Sequence, residues 1–393
     1  MKIVFLSSAM RLTANVFLLL YYSYEWNVEQ FNDFVYFWSL GLVLGSLFDF
    51  GSTTKSLVSD YSVENVNQCF QLKVKLTSLF LVLVPIGFFI FPAWAVCLLL
   101  VLHVQTYFDF ASAVLKKKNR YGYDLVCACL NYIPFLIVGG LFQSFPLEMI
   151  CGVWLFFRLV VLMYIINKIL PEMNNYGVFL KGTFQELKAG FQYFIEGFLA
   201  ILAVNLDLIL YSAILSSSAY YSYSIFNKYL VGINFFVVFL SQYFYSIFAR
   251  SMHLRKMIKL AGTYYVGLGV LGAGLAYFIF GSGLLNSFFE GFFMDAVVLS
   301  LLSFSLFFRV LSALLALPIM IAGEVYTKNI SSMISILIFI VGIYLVKQAE
   351  TSWYFFAPIL AASVYIFVSY LIICLVKATK KLGGVNESGI DLA

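Results

Sequence analysis

The chain has 393 residues, 63% of them hydrophobic and 11% charged, with a mean hydropathy of +0.95. A soluble domain carries about 25% charged residues, so this composition excludes a water-soluble globular protein and makes lipid the solvent. The net charge of +5 is therefore not a nucleic-acid footprint; what matters is where the lysines and arginines lie, because positive loops mark the cytoplasmic side.

The opening run MKIVFLSSAMRLTANVFLLL has the outline of a secretory signal. Arg11 interrupts its apolar region, and no small-x-small cleavage site precedes Tyr21-Tyr22-Ser23-Tyr24. It is read as the first of twelve spanning helices, each of about 20 mostly apolar residues. The runs that meet this length are 4–24, 34–54, 72–91, 94–115, 125–143, 147–168, 191–214, 219–246, 260–281, 295–317, 329–347 and 353–376. The fold class expected is an all-α polytopic membrane protein of two six-helix bundles, 1–168 and 191–376. A cytoplasmic connection at 169–190 joins the bundles and a cytoplasmic tail follows at 377–393.

Orientation follows from the basic residues. With the N-terminus inside, Lys55, the Lys116-Lys117-Lys118-Asn119-Arg120 run, Lys181, Lys188, the basic loop around His253, Lys328 and the tail lysines all face the cytoplasm, as do Lys73 and Lys75 at an inner helix end. Both termini are then cytoplasmic. Every outer loop is short, the longest being 282–294, which leaves little room for the loop-borne site of a membrane enzyme.

Ionisable groups inside spans cost about 2.5–3.5 kcal/mol each on insertion scales and are functional candidates by default. Four cations qualify: Arg11, with Ser8 and Asn15 on its helical face; Arg158, one turn after Trp154; Lys228, in line with Ser224 and Tyr221; and Arg309, in line with Ser305 and Ser312. A cationic cavity lined by these four would suit an acidic or phosphate-bearing ligand. The alternative is that they pair with the in-span acids Asp109, Glu196 and Asp207 and only hold helices together. Glu196 and Asp207 share a helical face, Lys228 is near enough in depth to meet Asp207, and Asp109 or Asp207 could couple transport to an ion. The segment LFDFGSTTKSL ends the second span. There Gly51 can terminate the helix, the Ser52-Thr53-Thr54 hydroxyls can satisfy freed backbone groups, and Asp49 lies about one and a half turns before Lys55. Asp49, Gly51 and Lys55 read as an inner gate or helix end.

Other patterns carry no chemistry. Asp49-Phe50-Gly51 has no catalytic or phosphate loop around it. The GxGxxG run of Gly267, Gly269 and Gly272 lies inside a span and offers close helix approach instead of a dinucleotide turn. His103 and His253 have no acid or nucleophile at motif spacing. Cys127 and Cys129, spaced i, i+2, point apart on a helix, so the cysteines read as buried free thiols. No metal or cofactor is expected.

The Phe48-Asp49-Phe50-Gly51-Ser52 helix end, the block NLDLILYSAILSSSAYYSYSIFNKYL with Asp207, Tyr223, Ser224 and Lys228, the Arg11-bearing first span and the twelve-span plan together resemble one family. It is the O-antigen and polysaccharide flippases of the multidrug/oligosaccharidyl-lipid/polysaccharide (MOP) exporter superfamily. The chain departs from it in lacking a proline near the end of the eighth span, which reads SQYFYSIFAR. The resemblance implies a MATE-like fold in a bacterial inner membrane and a substrate of undecaprenyl-pyrophosphate-linked oligosaccharide, moved to the outer leaflet by alternating access. Membrane lipid would be a partner, as would the polymerase and chain-length regulator of the same pathway; nucleic acid would not. Two rival readings are a cation-coupled multidrug or small-solute antiporter of the same superfamily and a polysaccharide polymerase, which the short outer loops oppose.

Overall fold

The computed structural model describes residues 10, 26–53, 55, 63–141, 146–169, 183–248, 254–287, 289, 292–347 and 352–378. Among these, regular structure is helical. Eleven α-helices follow in order: α1 (Val28–Asp49), α2 (Val63–Ile90), α3 (Ala93–Lys117), α4 (Tyr121–Leu141), α5 (Leu147–Tyr164), α6 (Thr183–Ser212), α7 (Ser217–Phe248), α8 (Leu254–Gly281), α9 (Ala296–Ile321), α10 (Val325–Val346) and α11 (Ala357–Ile373). They fall where the second to twelfth spans are expected; the first span lies outside the described residues. Nine of the eleven are long and apolar enough to cross a membrane by length and composition. The chain is a multi-pass membrane protein. Short π-helical turns, Ile165–Ile169 and Cys374–Ala378, extend α5 and α11.

The chain divides into two compact units, Met1–Ile209 and Leu210–Ala393. The division falls in the last turn of α6, one helix later than the 169–190 connection read from the sequence. Its cause is local: the first half of α6 seats on the C-terminal end of α1, where the Phe50 and Phe194 rings stack at 4.5 Å.

In the first unit α3 is central, packed against α1, α2, α4 and α5. Of its apolar stretch 83% is buried, against 17% for α2, which identifies α2 as a lipid-facing helix. Large apolar side chains such as Phe89 and Phe156 are exposed, an arrangement stable only where hydrocarbon is the solvent. The core under α3 joins Phe70, Phe108, Phe110, Val114 and Leu115 to Cys127 and Ile165. Cys69, Cys127 and Cys151 are buried.

In the second unit α9 is central, packed against α7, α8 and α11, while α11 also packs against α10. Small residues set the closest approaches. A Cβ on Gly269 would lie 3.0 Å from the Phe307 ring, and one on Gly272 would touch Ile233 and Leu306 at 3.5 Å, so the GxGxxG run serves helix packing as its setting indicates. Tighter still is Gly342, where a Cβ would come within 2.7 Å of Pro358 at the start of α11. Substituting Gly342→Leu is expected to cost about 1–3 kcal/mol through overpacking. Gly267→Leu, with nothing within 4 Å of the added carbon, should leave stability unchanged; thermal unfolding of the purified protein in detergent checks both.

Candidate functional site

α1 begins at Asn27, whose side chain accepts the Gln30 N–H at 2.9 Å. It ends with two consecutive left-handed residues, Phe50 (φ 46°) and Gly51 (φ 69°). A Cβ at Gly51 would lie 2.4 Å from the Phe194 backbone nitrogen, so glycine is required there by conformation and by space alike. This abrupt turn leaves Asp49 as the cap of the next helical turn. Its carboxylate accepts the Ser52 hydroxyl at 2.8 Å, the Thr53 hydroxyl at 3.0 Å and the Thr53 N–H at 3.3 Å.

The same carboxylate forms a buried ion pair with Lys73 of α2. Lys73 is fully buried and its ammonium lies 4.9 Å from the centroid of the Tyr107 ring on α3. From the sequence, Lys73 is expected among the inner-face cations and Lys55 as the neighbour of Asp49. Lys55 is half-buried and its N–H closes the turn on the Gly51 carbonyl at 2.8 Å. Behind the pair, Thr77 bonds with both His103 Nε2, at 2.8 Å, and the Tyr107 hydroxyl, and His103 stacks on Phe80 at 4.4 Å. His103 is thus a core residue with a specific partner, one that the sequence reading did not identify.

Asp49 also faces a cavity of about 160 Å³ within the first unit, enclosed by α1, α3 and α6. Its polar lining is Ser46, Asp49, Thr53, Gln105, Thr106 and Asp109; Leu42, Leu102, Phe198 and Ile201 supply apolar surface, and Gly51 and Gly197 leave space. The lining residues include no lysine or arginine among those described. Asp109 accepts from Gln105 Nε2 at 2.9 Å, and Gln105 in turn accepts from Asn131 at 2.8 Å. Two acids the sequence put in separate roles, Asp49 at a gate and Asp109 in ion coupling, therefore border one space. Glu196, half-buried on α6, directly precedes lining residues Gly197 and Phe198.

The predicted cations are placed differently. Arg11 lies outside the described residues. Arg158 is buried, with its guanidinium 4.3 Å from the Trp154 ring centroid, and Nη1 donates to the Val101 carbonyl at 2.7 Å. It ties α5 to α3 and is absent from the cavity lining, so its contacts are those of a helix tie. Asp207 is buried and accepts the Leu208 N–H at 2.8 Å. In the second unit Lys228 is buried on the polar face of α7 that also carries Ser224 and Asn227. Arg309 is half-buried on α9 and its Nε donates to the Ser363 hydroxyl at 3.4 Å. Ser363 also bonds with Ser305 at 2.8 Å.

No protein-family model matches the chain, and no curated protein matches it. Solved structures do. An inward-facing multidrug resistance MATE family transporter of the MOP superfamily superposes with a TM-score of 0.71 at 10% identity, over 96% of each chain. The MATE multidrug transporter DinF-BH gives 0.66 at 13% identity, over 95% of each. An outward-facing MATE family transporter gives 0.64 at 11% identity, over 98% of this chain and 97% of that one. The protein has the MATE transporter fold. In this MATE-fold chain the Asp49–Lys73 pair joins two helices of the first unit beside the cavity, and removing one member would leave an uncompensated buried charge. Lys73→Met is expected to destabilise the protein by about 3–5 kcal/mol, and Asp49→Asn combined with Lys73→Met to recover most of the loss, read as melting temperature in detergent.

Proposed function

We propose that this protein is a membrane transporter whose cargo is a lipid-linked oligosaccharide, carried from the inner to the outer leaflet of a bacterial cytoplasmic membrane by alternating access. The observation that carries the reading is the charge of the second unit. Lys228 and Arg309 sit inside its helices, and α7 to α11 contain no aspartate or glutamate. Basic side chains placed inside the helices complement an anionic group such as a pyrophosphate, which cannot cross hydrocarbon unaided. The MATE fold supports membrane transport, and the sequence resemblance to polysaccharide flippases supports this cargo. In this reading both termini are cytoplasmic, as the basic loops indicate, and the undecaprenyl chain stays in the bilayer while the head group crosses.

A second reading, a cation-coupled exporter of organic cations, is favoured by one observation: the cavity of the first unit has two carboxylates on its wall and no lysine or arginine among its described lining. The similar structures are multidrug transporters, the class this reading requires.

The two readings separate by experiment. Loss of the gene is expected to abolish surface polysaccharide and to accumulate lipid-linked repeat units on the cytoplasmic leaflet. Arg309→Gln should reproduce that loss with normal protein level in the membrane, whereas sensitivity to lipophilic cations should not change. Intact polysaccharide together with new sensitivity to lipophilic cations would reverse the choice.

A further inference from the structure

We propose that the corner between α3 and α4, centred on Arg120, binds the headgroup of an anionic phospholipid in the leaflet it borders. The proposal goes beyond the transport reading and does not depend on the cargo.

The sequence concentrates charge here. Lys116, Lys117, Lys118 and Arg120 lie at the end of the spanning helix α3, and a basic cluster just outside a spanning helix attracts anionic headgroups. The lysines are half-buried and those of the last turn also complement the negative end of α3. Arg120 lies beyond that end and is exposed. Within the segment from Lys116 to Phe145 the one acid is Asp124, whose side chain is fully buried.

The corner is held by backbone hydrogen bonds. Asn119 turns left-handed, with φ 56°. The Arg120 N–H then reaches back to the Leu115 carbonyl at 2.9 Å, and the Asn119 N–H reaches the Lys116 carbonyl at 3.1 Å, the closure that ends a helix on a left-handed residue. The Arg120 carbonyl accepts the Asp124 N–H at 3.2 Å, so α4 begins at once. The Tyr121 hydroxyl donates to Asn119 Oδ1 at 3.0 Å. Behind the corner Leu115 and Cys127 share one buried core. A headgroup therefore meets an arginine whose backbone is already fixed, which lowers the ordering cost of binding.

The exposed side of α4 fits a lipid and not merely an anion. Arg120, Tyr123 and Val126 follow one another at three-residue spacing, and all three are exposed; α4 turns other faces to α3 and α5. At 1.5 Å per residue they span about 9 Å along the helix. The order is cation, phenol, aliphatic, which matches the change from phosphate to glycerol to acyl chain, and tyrosine favours the headgroup level. The Arg120 guanidinium lies 6.0 Å from the Tyr123 ring centroid, so charge and ring are presented together.

The test uses the full chain in neutral maltoside micelles, titrated with dioleoylphosphatidylglycerol or dioleoylphosphatidylcholine. Binding is read by native mass spectrometry and by melting temperature. Phosphatidylglycerol is expected to bind more tightly and to raise the melting temperature above that in phosphatidylcholine. Arg120→Gln is expected to weaken phosphatidylglycerol binding about fivefold, the share of one basic residue at a membrane surface, with the melting temperature in phosphatidylcholine unchanged. Arg120→Lys should retain binding within about twofold, and Lys328→Gln, on α10 of the second unit, should leave it unaltered. Inorganic phosphate at matched ionic strength should not compete. Equal binding of the two lipids, or no loss in Arg120→Gln, would overturn the proposal. An equal loss in Lys328→Gln would do so as well, marking general surface charge, as would displacement by inorganic phosphate, marking a site for soluble anions.

Discussion

Hydrocarbon supplies neither hydrogen bonds nor counter-ions, so a charge on a spanning helix must meet its partner inside the protein. The Asp49–Lys73 pair is where this requirement organises the first unit. Asp49 lies at the last position of α1, held there by the left-handed turn at Phe50 and Gly51, and Lys73 arrives from α2. One carboxylate thus caps the following turn, through Ser52 and Thr53, and neutralises a buried ammonium. The stretch of α1 that carries it also walls the cavity. Chain direction, helix assembly and cavity polarity depend on the same few atoms.

Two further cations show two ways of meeting the same cost. Arg158 spreads its charge over the face of Trp154 and a backbone carbonyl, contacts that hold α5 against α3 and use the delocalised guanidinium as a lysine could not. Arg309 instead meets the Ser363 hydroxyl of the neighbouring helix, which also bonds with Ser305 of Arg309's own helix. The two units therefore differ in electrostatic character, the first acid-lined at its cavity and the second carrying cations in helices devoid of acids.

Much of the fold was legible because hydropathy is a one-dimensional signal: eleven of the expected spans stand as helices, and the Gly269–Gly272 run packs as its setting implied. Trp154 was also legible as the neighbour of Arg158, since i−4 spacing on a helix fixes adjacency. What stayed hidden depends on contacts distant in sequence. Lys73 looked like an inner-face lysine because its apolar surroundings are the same whether its ammonium reaches water or Asp49, 24 residues away. His103 looked isolated because Thr77 comes from another helix. The convergence of Asp49 and Asp109 on one cavity depends on the way α1 and α3 pack, which no local spacing records. A signal was present at Asp49 all the same: an acid followed by glycine and two hydroxyls at a helix end is the composition of a cap, and a capped carboxylate deep in a membrane protein implies a cation somewhere opposite.

The Gly51–Phe194 approach has a mechanical meaning beyond the sterics of one glycine. Side chains at an interface absorb small displacements by rotating about their χ angles, so such contacts stretch before they fail. Two backbones in direct contact have no such compliance. The junction of α1 with α6 is therefore stiffer at Gly51 than an interface cushioned by side chains alone.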